Sequence, residues 1–206
     1  DFSQHQPVLA GSRFKLIEHH RLSNLLDAWL NVERQRTPFT VLETEAKHAF
    51  RFQDLALTAR IDRVDQLSDG SYLIIDYKTG VSNINAWWGP RPDDPQLPLY
   101  GHIIERDEVE LSSLAFAQVR LDGCEFKGVG DEHTPEPKLQ WHSKIQSQAG
   151  AVDWPDLKTQ WQQVLNALAG DFVAGISKVD PKHAVKSCQY CDYASVCRVD
   201  VVEQSL

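Results

Sequence analysis

The stretch "LIIDYKTG", residues 73–80, decides how the chain is read: an apolar strand that ends with an acid, Asp76, and a base, Lys78. Side chains two apart on a strand share a face, so the two charges stand together at the end of a half-buried strand. A salt bridge explains such a pair, and so does a metal-dependent active site. Upstream, "FTVLETEAKHAFRF" (39–52) and "LALTARIDRVDQL" (55–67) also read as strands, with turn residues at Gln53-Asp54 and Ser68-Asp69-Gly70. The three form an antiparallel meander. A three-residue loop at 68–70 sets Leu67 opposite Ser71 and Asp62 opposite Asp76. Like charges facing each other across a ladder are destabilising. A divalent cation relieves them, because carboxylate oxygens are the ligands Mg²⁺ and Mn²⁺ prefer. Glu45 on the first strand adds a third carboxylate, and Glu43 shares its face by parity. The bland alternative is a lattice of surface ion pairs among Asp62, Arg60 and Lys78.

Around this core, residues 13–36 carry Leu22, Leu25, Leu26, Trp29 and Leu30 at helical spacing, and Thr37-Pro38 ends the run. A turn-rich loop (79–95) leads to a helix from Gln96 to about Arg106 and a strand at 112–121. The polar stretch 128–155 is expected to be a mobile excursion, and "PDLKTQWQQVLNALAGDFVAGI" (155–176) is helical in pattern. Residues 39–121 then form the core of one domain, and 156–206 hold a C-terminal helix and a cysteine segment. This order predicts an α/β fold with a mixed central sheet flanked by helices.

The chain has 206 residues, 42% hydrophobic and 24% charged, enough for one substantial domain. A net charge of −8 is the wrong sign for coating nucleic acid by bulk electrostatics, so any DNA contact needs a local groove, a bridging metal or a partner subunit. No apolar run is long enough to span a membrane. Three of the four cysteines, Cys188, Cys191 and Cys197, fall in "SCQYCDYASVC", which points to a metal or cluster rather than a dispersed disulfide framework, and to a cytoplasmic location by default. The chain opens on Asp1 and has no Met, which suggests a piece of a longer polypeptide.

"LTARIDRVDQLSDGSYLIIDYKTG" followed by "QLPLY" resembles the RecB/AddB-type nuclease domain of the PD-(D/E)xK superfamily. That family carries a G-x-I-D-R-x-D strand, a strand ending D-Y-K-T-G, and a Q-L-x-x-Y helix. Here the matches are Asp62, Arg63 and Asp65, then Asp76 and Lys78, then Gln96 and Tyr100, with Ala59 in place of the glycine. The resemblance implies a restriction-endonuclease-like core and Mg²⁺ or Mn²⁺ held by Asp62, Asp76 and the backbone carbonyl of Tyr77. It makes Lys78 the catalytic lysine, with Glu45, Gln96 and Tyr100 in supporting roles. It implies a DNA nuclease of repair or recombination, acting on single strands or ends with a helicase subunit as partner. A catalytically silent DNA-binding scaffold is the alternative.

In related nucleases three C-terminal cysteines join one far upstream around an iron–sulfur cluster of the 4Fe-4S type. By that resemblance Cys188, Cys191 and Cys197 are its ligands, while the upstream cysteine and an active-site histidine helix lie outside this sequence. A zinc site with His183 competes, and three reduced cysteines without metal is the plain reading. Cys124 reads as a buried or free thiol, and His19 and His20 as surface residues. Trp87 and Trp88 could stack on unpaired bases or pack beneath their loop, and Arg63 could contact nucleic acid.

Overall fold

The computed structural model describes residues 11–105, 110–141 and 143–197. Arg106 and residues 198–206, parts of the spans expected to form a helix and a tail, lie outside the described residues. Helix α1 (Ser12–Glu33) leads into β1 (Phe39–Phe52), β2 (Leu55–Leu67) and β3 (Tyr72–Lys78). Helix α2 (Gln96–Glu105), β4 (Leu111–Arg120), β5 (Gly123–Gly130), α3 (Ser143–Ala149), α4 (Trp154–Val173), α5 (Ala184–Cys188) and α6 (Ala194–Cys197) follow. Strand order is β1-β2-β3-β4-β5. Only β3 and β4 pair in parallel, joined through α2, so the sheet is mixed as expected.

Strand β3 is apolar on both faces because both are covered, as the central position beside a parallel neighbour demands. Ile74 faces a core of Leu97, Ile103 and Ile104 from α2 and Trp154, Leu157 and Trp161 from α4. Leu73 and Ile75 face the other way, against Trp29 of α1. Helix α1 rests on the sheet through Trp29 and Val32, which leaves Leu22, Leu26 and Leu30 exposed. The apolar face expected of this helix is therefore only partly used: the two residues three apart touch the sheet, and the i, i+4 leucine row runs along the flank.

At the end of α1 lies a group of five largely buried charges. Arg36 meets Asp65 at 2.7 Å, Glu33 at 3.0 Å and Glu136 at 2.8 Å. Arg63 meets Asp65 at 2.6 Å and Glu33 at 2.8 Å. Asp65 is fully buried, and Arg36 and Arg63 lie over the ring of Phe39.

Two expectations change. Residues 128–155 pack against the sheet rather than stand off it. Arg36 anchors Glu136, the side chains of Leu139, Ile145, Ala151 and Trp154 are buried, and the Trp154 indole donates to the Leu111 carbonyl at 2.9 Å. Strand β5, read from sequence only as a strand or turn around Cys124, runs on to Gly130 and fills the sheet edge beside β4. Its glycines lower strand propensity, yet close contact with β4 requires two of them, Gly128 and Gly130: a Cβ on Gly128 would run into the Leu114 carbonyl oxygen and stand 2.7 Å from Ala115 Cα. Gly128→Ala must push β5 off β4, and a loss of about 1–3 kcal/mol is expected in urea unfolding. An unchanged midpoint would mean that β5 can shift freely.

Candidate active site

Register and packing bring the expected residues to the C-terminal end of β3. The β2–β3 ladder pairs Gln66 with Tyr72 and Arg63 with Ile75, and one more step in that register places Asp62 opposite Asp76. Regular pairing stops there. Ala59 and Ile61 face the α2 side together with Val64, so the inside–outside alternation changes phase between Ile61 and Val64. At this irregular point the Asp62 carboxylate accepts the Tyr77 backbone N–H at 2.8 Å, where a regular strand would use its own main chain.

Asp76 is 3% exposed and meets Lys78 Nζ at 2.7 Å through Oδ2, an ion pair outside hydrogen-bond alignment. Its Oδ1 accepts from Gln96 Nε2 at 3.0 Å. The same amide nitrogen donates to the Tyr100 hydroxyl at 2.9 Å, and Gln96 Oε1 accepts from Lys78 Nζ at 3.3 Å. Gln96 and Tyr100 share a face of α2 by their i, i+4 spacing. Helix α2 thus holds the acid and the base of β3 with one side chain, braced by a second.

Burial pushes the Asp76 carboxyl above its ordinary range; Lys78 opposes that shift, while Asp62 and Asp94 add to it. Burial pulls Lys78 down, but the close contact and charge of Asp76, helped by Asp94 and Asp62, leave it above its ordinary value. Asp94 was not singled out in the sequence. It stands two residues before Gln96 and accepts that residue's N–H at 3.4 Å, a helix-start pattern in "DDPQLPLY" that signalled it.

Other expected residues are placed differently. Glu45 stands beside Asp62 in the β1–β2 register, but its carboxylate is turned to Arg60 at 2.7 Å, and its backbone has φ 52°. Arg60, foreseen in an exposed lattice with Asp62 and Lys78, pairs instead with Glu45, while Lys78 pairs with Asp76. Arg63, read as a nucleic-acid contact, is 11% exposed and committed to Asp65, Glu33 and the Tyr77 hydroxyl. Trp87 is fully buried against Phe116, and Trp88 stacks on Trp161 at 5.9 Å, so both pack beneath the loop. His19 and His20 are exposed.

The donor set suits a hard divalent cation: carboxylates of Asp62 and Asp76 and the main-chain oxygen of Tyr77 on β3, with Asp76 pressed by burial and neighbouring charge. Among the described residues no three Asp, Glu, His or Cys side chains converge on one point, so main-chain oxygen or water has to complete any such site. Cys188 ends α5 and Cys197 ends α6, with Cys191 between them; among the described residues they are not gathered into a group of three that could hold a metal ion, with or without His183. Cys124 bonds the Arg120 carbonyl at the sheet edge. The segment before α5 is tied to the loop after β3 by Arg91–Asp180 and Lys182–Asp93, exposed pairs that contribute little each.

The family profile described as the PD-(D/E)XK nuclease superfamily matches residues 2–198. The chain is 24% identical over 198 residues to a subunit of the ATP-dependent helicase/deoxyribonuclease of Alkaliphilus metalliredigens, covering 72% of this chain and 17% of that protein. It is 31% identical over 140 residues to the same subunit of the Streptococcus agalactiae ATP-dependent helicase/deoxyribonuclease, covering 67% of this chain and 12% of that one. The chain therefore spans less than a fifth of the length of these relatives. No helix among the described residues is long and apolar enough to cross a membrane.

Proposed function

Because the chain belongs to the PD-(D/E)XK nuclease superfamily, we propose that it is a deoxyribonuclease dependent on Mg²⁺ or Mn²⁺, with its centre between β2 and β3. The observation that carries this reading is the joining of a buried acid and a base, Asp76 and Lys78, by Gln96 beside Asp62. Asp62, Asp76 and the Tyr77 carbonyl would hold the cation. When bound, it would polarise a scissile phosphate and lower the pKa of an attacking water.

The protein's own groups do the rest. Lys78 places a fixed positive charge where a phosphate oxygen gains negative charge in the transition state. Gln96 keeps Lys78 directed and satisfies Asp76 Oδ1, and Tyr100 fixes the Gln96 rotamer. Glu45 would join only by leaving Arg60, a pair that is exposed at both ends. The relatives' description as subunits of an ATP-dependent helicase/deoxyribonuclease supports DNA as substrate and a helicase as partner; the role proposed with them is in DNA repair or recombination, on single strands or ends.

End-labelled single- and double-stranded oligonucleotides, incubated with Mn²⁺, Mg²⁺ or chelator, test this. Cleavage is expected with cation, absent with chelator, and lost in Asp76→Asn. Cleavage that survives chelation or that substitution contradicts the reading, as does a parent protein without activity on either substrate.

A further inference from the structure

Two adjacent residues of β2 hold one residue of β3 from opposite sides. Asp62 accepts the backbone N–H of Tyr77 at 2.8 Å, and Arg63 Nη1 donates to the Tyr77 phenol oxygen at 2.9 Å. Tyr77 stands between Asp76 and Lys78. Its ring points to the α1 side, in edge contact with Trp29 at 5.8 Å, while its two neighbours point to α2. We propose that Arg63 is a positioning residue for the site, acting through Tyr77 to fix the strand that presents Asp76, the Tyr77 carbonyl and Lys78. This rests on the nuclease reading above.

The need for such a hold lies in the sheet. Residues 76–78 pair with Phe116, Ala117 and Gln118 of β4, but regular pairing with β2 ends at Arg63↔Ile75. On the β2 side the strand end is secured by two side chains instead of a ladder. One of them, Asp62, is also a proposed cation ligand, so its carboxylate would serve the cation and the Tyr77 N–H together. The Arg63–phenol bond is the tie from β2 that a cation would not share.

Arg63 is built to be rigid. Nε and Nη2 form a two-point pair with Asp65 at 2.6 and 2.9 Å, and Nη1 also reaches Glu33 at 2.8 Å. A forked guanidinium held at both prongs loses little freedom in donating once more, which a lysine ammonium cannot reproduce. Glu33 is the last residue of α1, so the end of that helix sets the orientation that reaches the site.

Tyr77→Phe removes the phenol oxygen and keeps the ring against Trp29, so the fold is expected to survive with a thermal midpoint near that of the parent. Three readouts are compared: Mn²⁺ affinity by calorimetry, amide hydrogen exchange of residues 76–78 in metal-free protein, and kcat with KM. Expected are faster exchange, roughly tenfold weaker Mn²⁺ binding, as for losses of groups that orient metal ligands, and a fall in kcat at unchanged KM. Exchange and affinity equal to the parent's overturn the proposal, as does a loss of thermal stability with affinity unchanged. A parent that binds no Mn²⁺ overturns the nuclease reading and this proposal with it. That outcome is told apart from failure of the clamp, in which the parent binds normally.

Discussion

Replacing Lys78 with alanine is expected to lower the turnover of DNA cleavage by roughly 10²–10³-fold, the scale of losing one preorganised charge-stabilising group. Lys78 is 30% exposed, and its ammonium stands over the Phe116 ring at 5.4 Å while it reaches Asp76 and Gln96. Deleting it leaves the backbone of β3 in place and removes the charge that opposes the effect of burial on Asp76. Mn²⁺ binding is therefore expected to persist, because a cation takes over the neutralisation of Asp76 that the ammonium provided. The discriminating measurement is single-turnover cleavage beside Mn²⁺ titration of the same variant. A turnover within a few-fold of the parent would reduce Lys78 to a structural ion-pair partner. Lost Mn²⁺ binding would mean that the lysine organises the ligands instead of acting on the phosphate. Lys78→Arg keeps the charge but not the compact reach to Gln96 Oε1, and only partial recovery is expected.

The largest stability loss is expected at Asp65. Its carboxylate is fully buried, with Arg36 at 2.7 Å and Arg63 at 2.6 Å. Asp65→Ala leaves two buried guanidinium groups sharing Glu33 and Glu136, and breaking one member of such a group costs about 3–5 kcal/mol. Domains of this kind have only about 5–15 kcal/mol in total. A lower urea midpoint at unchanged slope reads this directly. The cost should be smaller for Glu136→Gln, whose partner Arg36 keeps Asp65 and Glu33. A loss below about 1 kcal/mol at Asp65 would mean that water compensates the charges as on an exposed surface.

The first three strands were legible because their signals are local. Alternation and turn residues fixed β1 and β2 at 39–52 and 55–67, and the three-residue loop before Ser71 set the register that aligns Asp62 with Asp76. Periodicity paired Asp76 with Lys78 along the strand and Gln96 with Tyr100 along the helix, and the family resemblance was what joined the two pairs into one group. What sequence could not give depended on neighbours. Strand β5 is written in glycines whose purpose is the close approach of β4. The polar look of 128–155 concealed Glu136, which is buried because Arg36, a hundred residues earlier, waits for it. Arg63 reads as a free surface cation until Asp65 and Glu33 are seen to enclose it. Asp62 was expected to face Asp76 and to share a cation with it, and its bond to the Tyr77 N–H needed the phase change in β2, which no periodic reading contains. The leucine row on α1 shows the converse error, since helical spacing tells which residues share a face and not whether anything covers it.

Calorimetric titration of Mn²⁺ into the chain, into Asp62→Ala and into Asp76→Ala bears most directly on a cation centre between β2 and β3. One site in the parent, lost in both variants, is the expected result. Binding that is equal in all three proteins, or absent from the parent, would contradict it and leave Asp76 and Lys78 as a buried ion pair at the end of a strand.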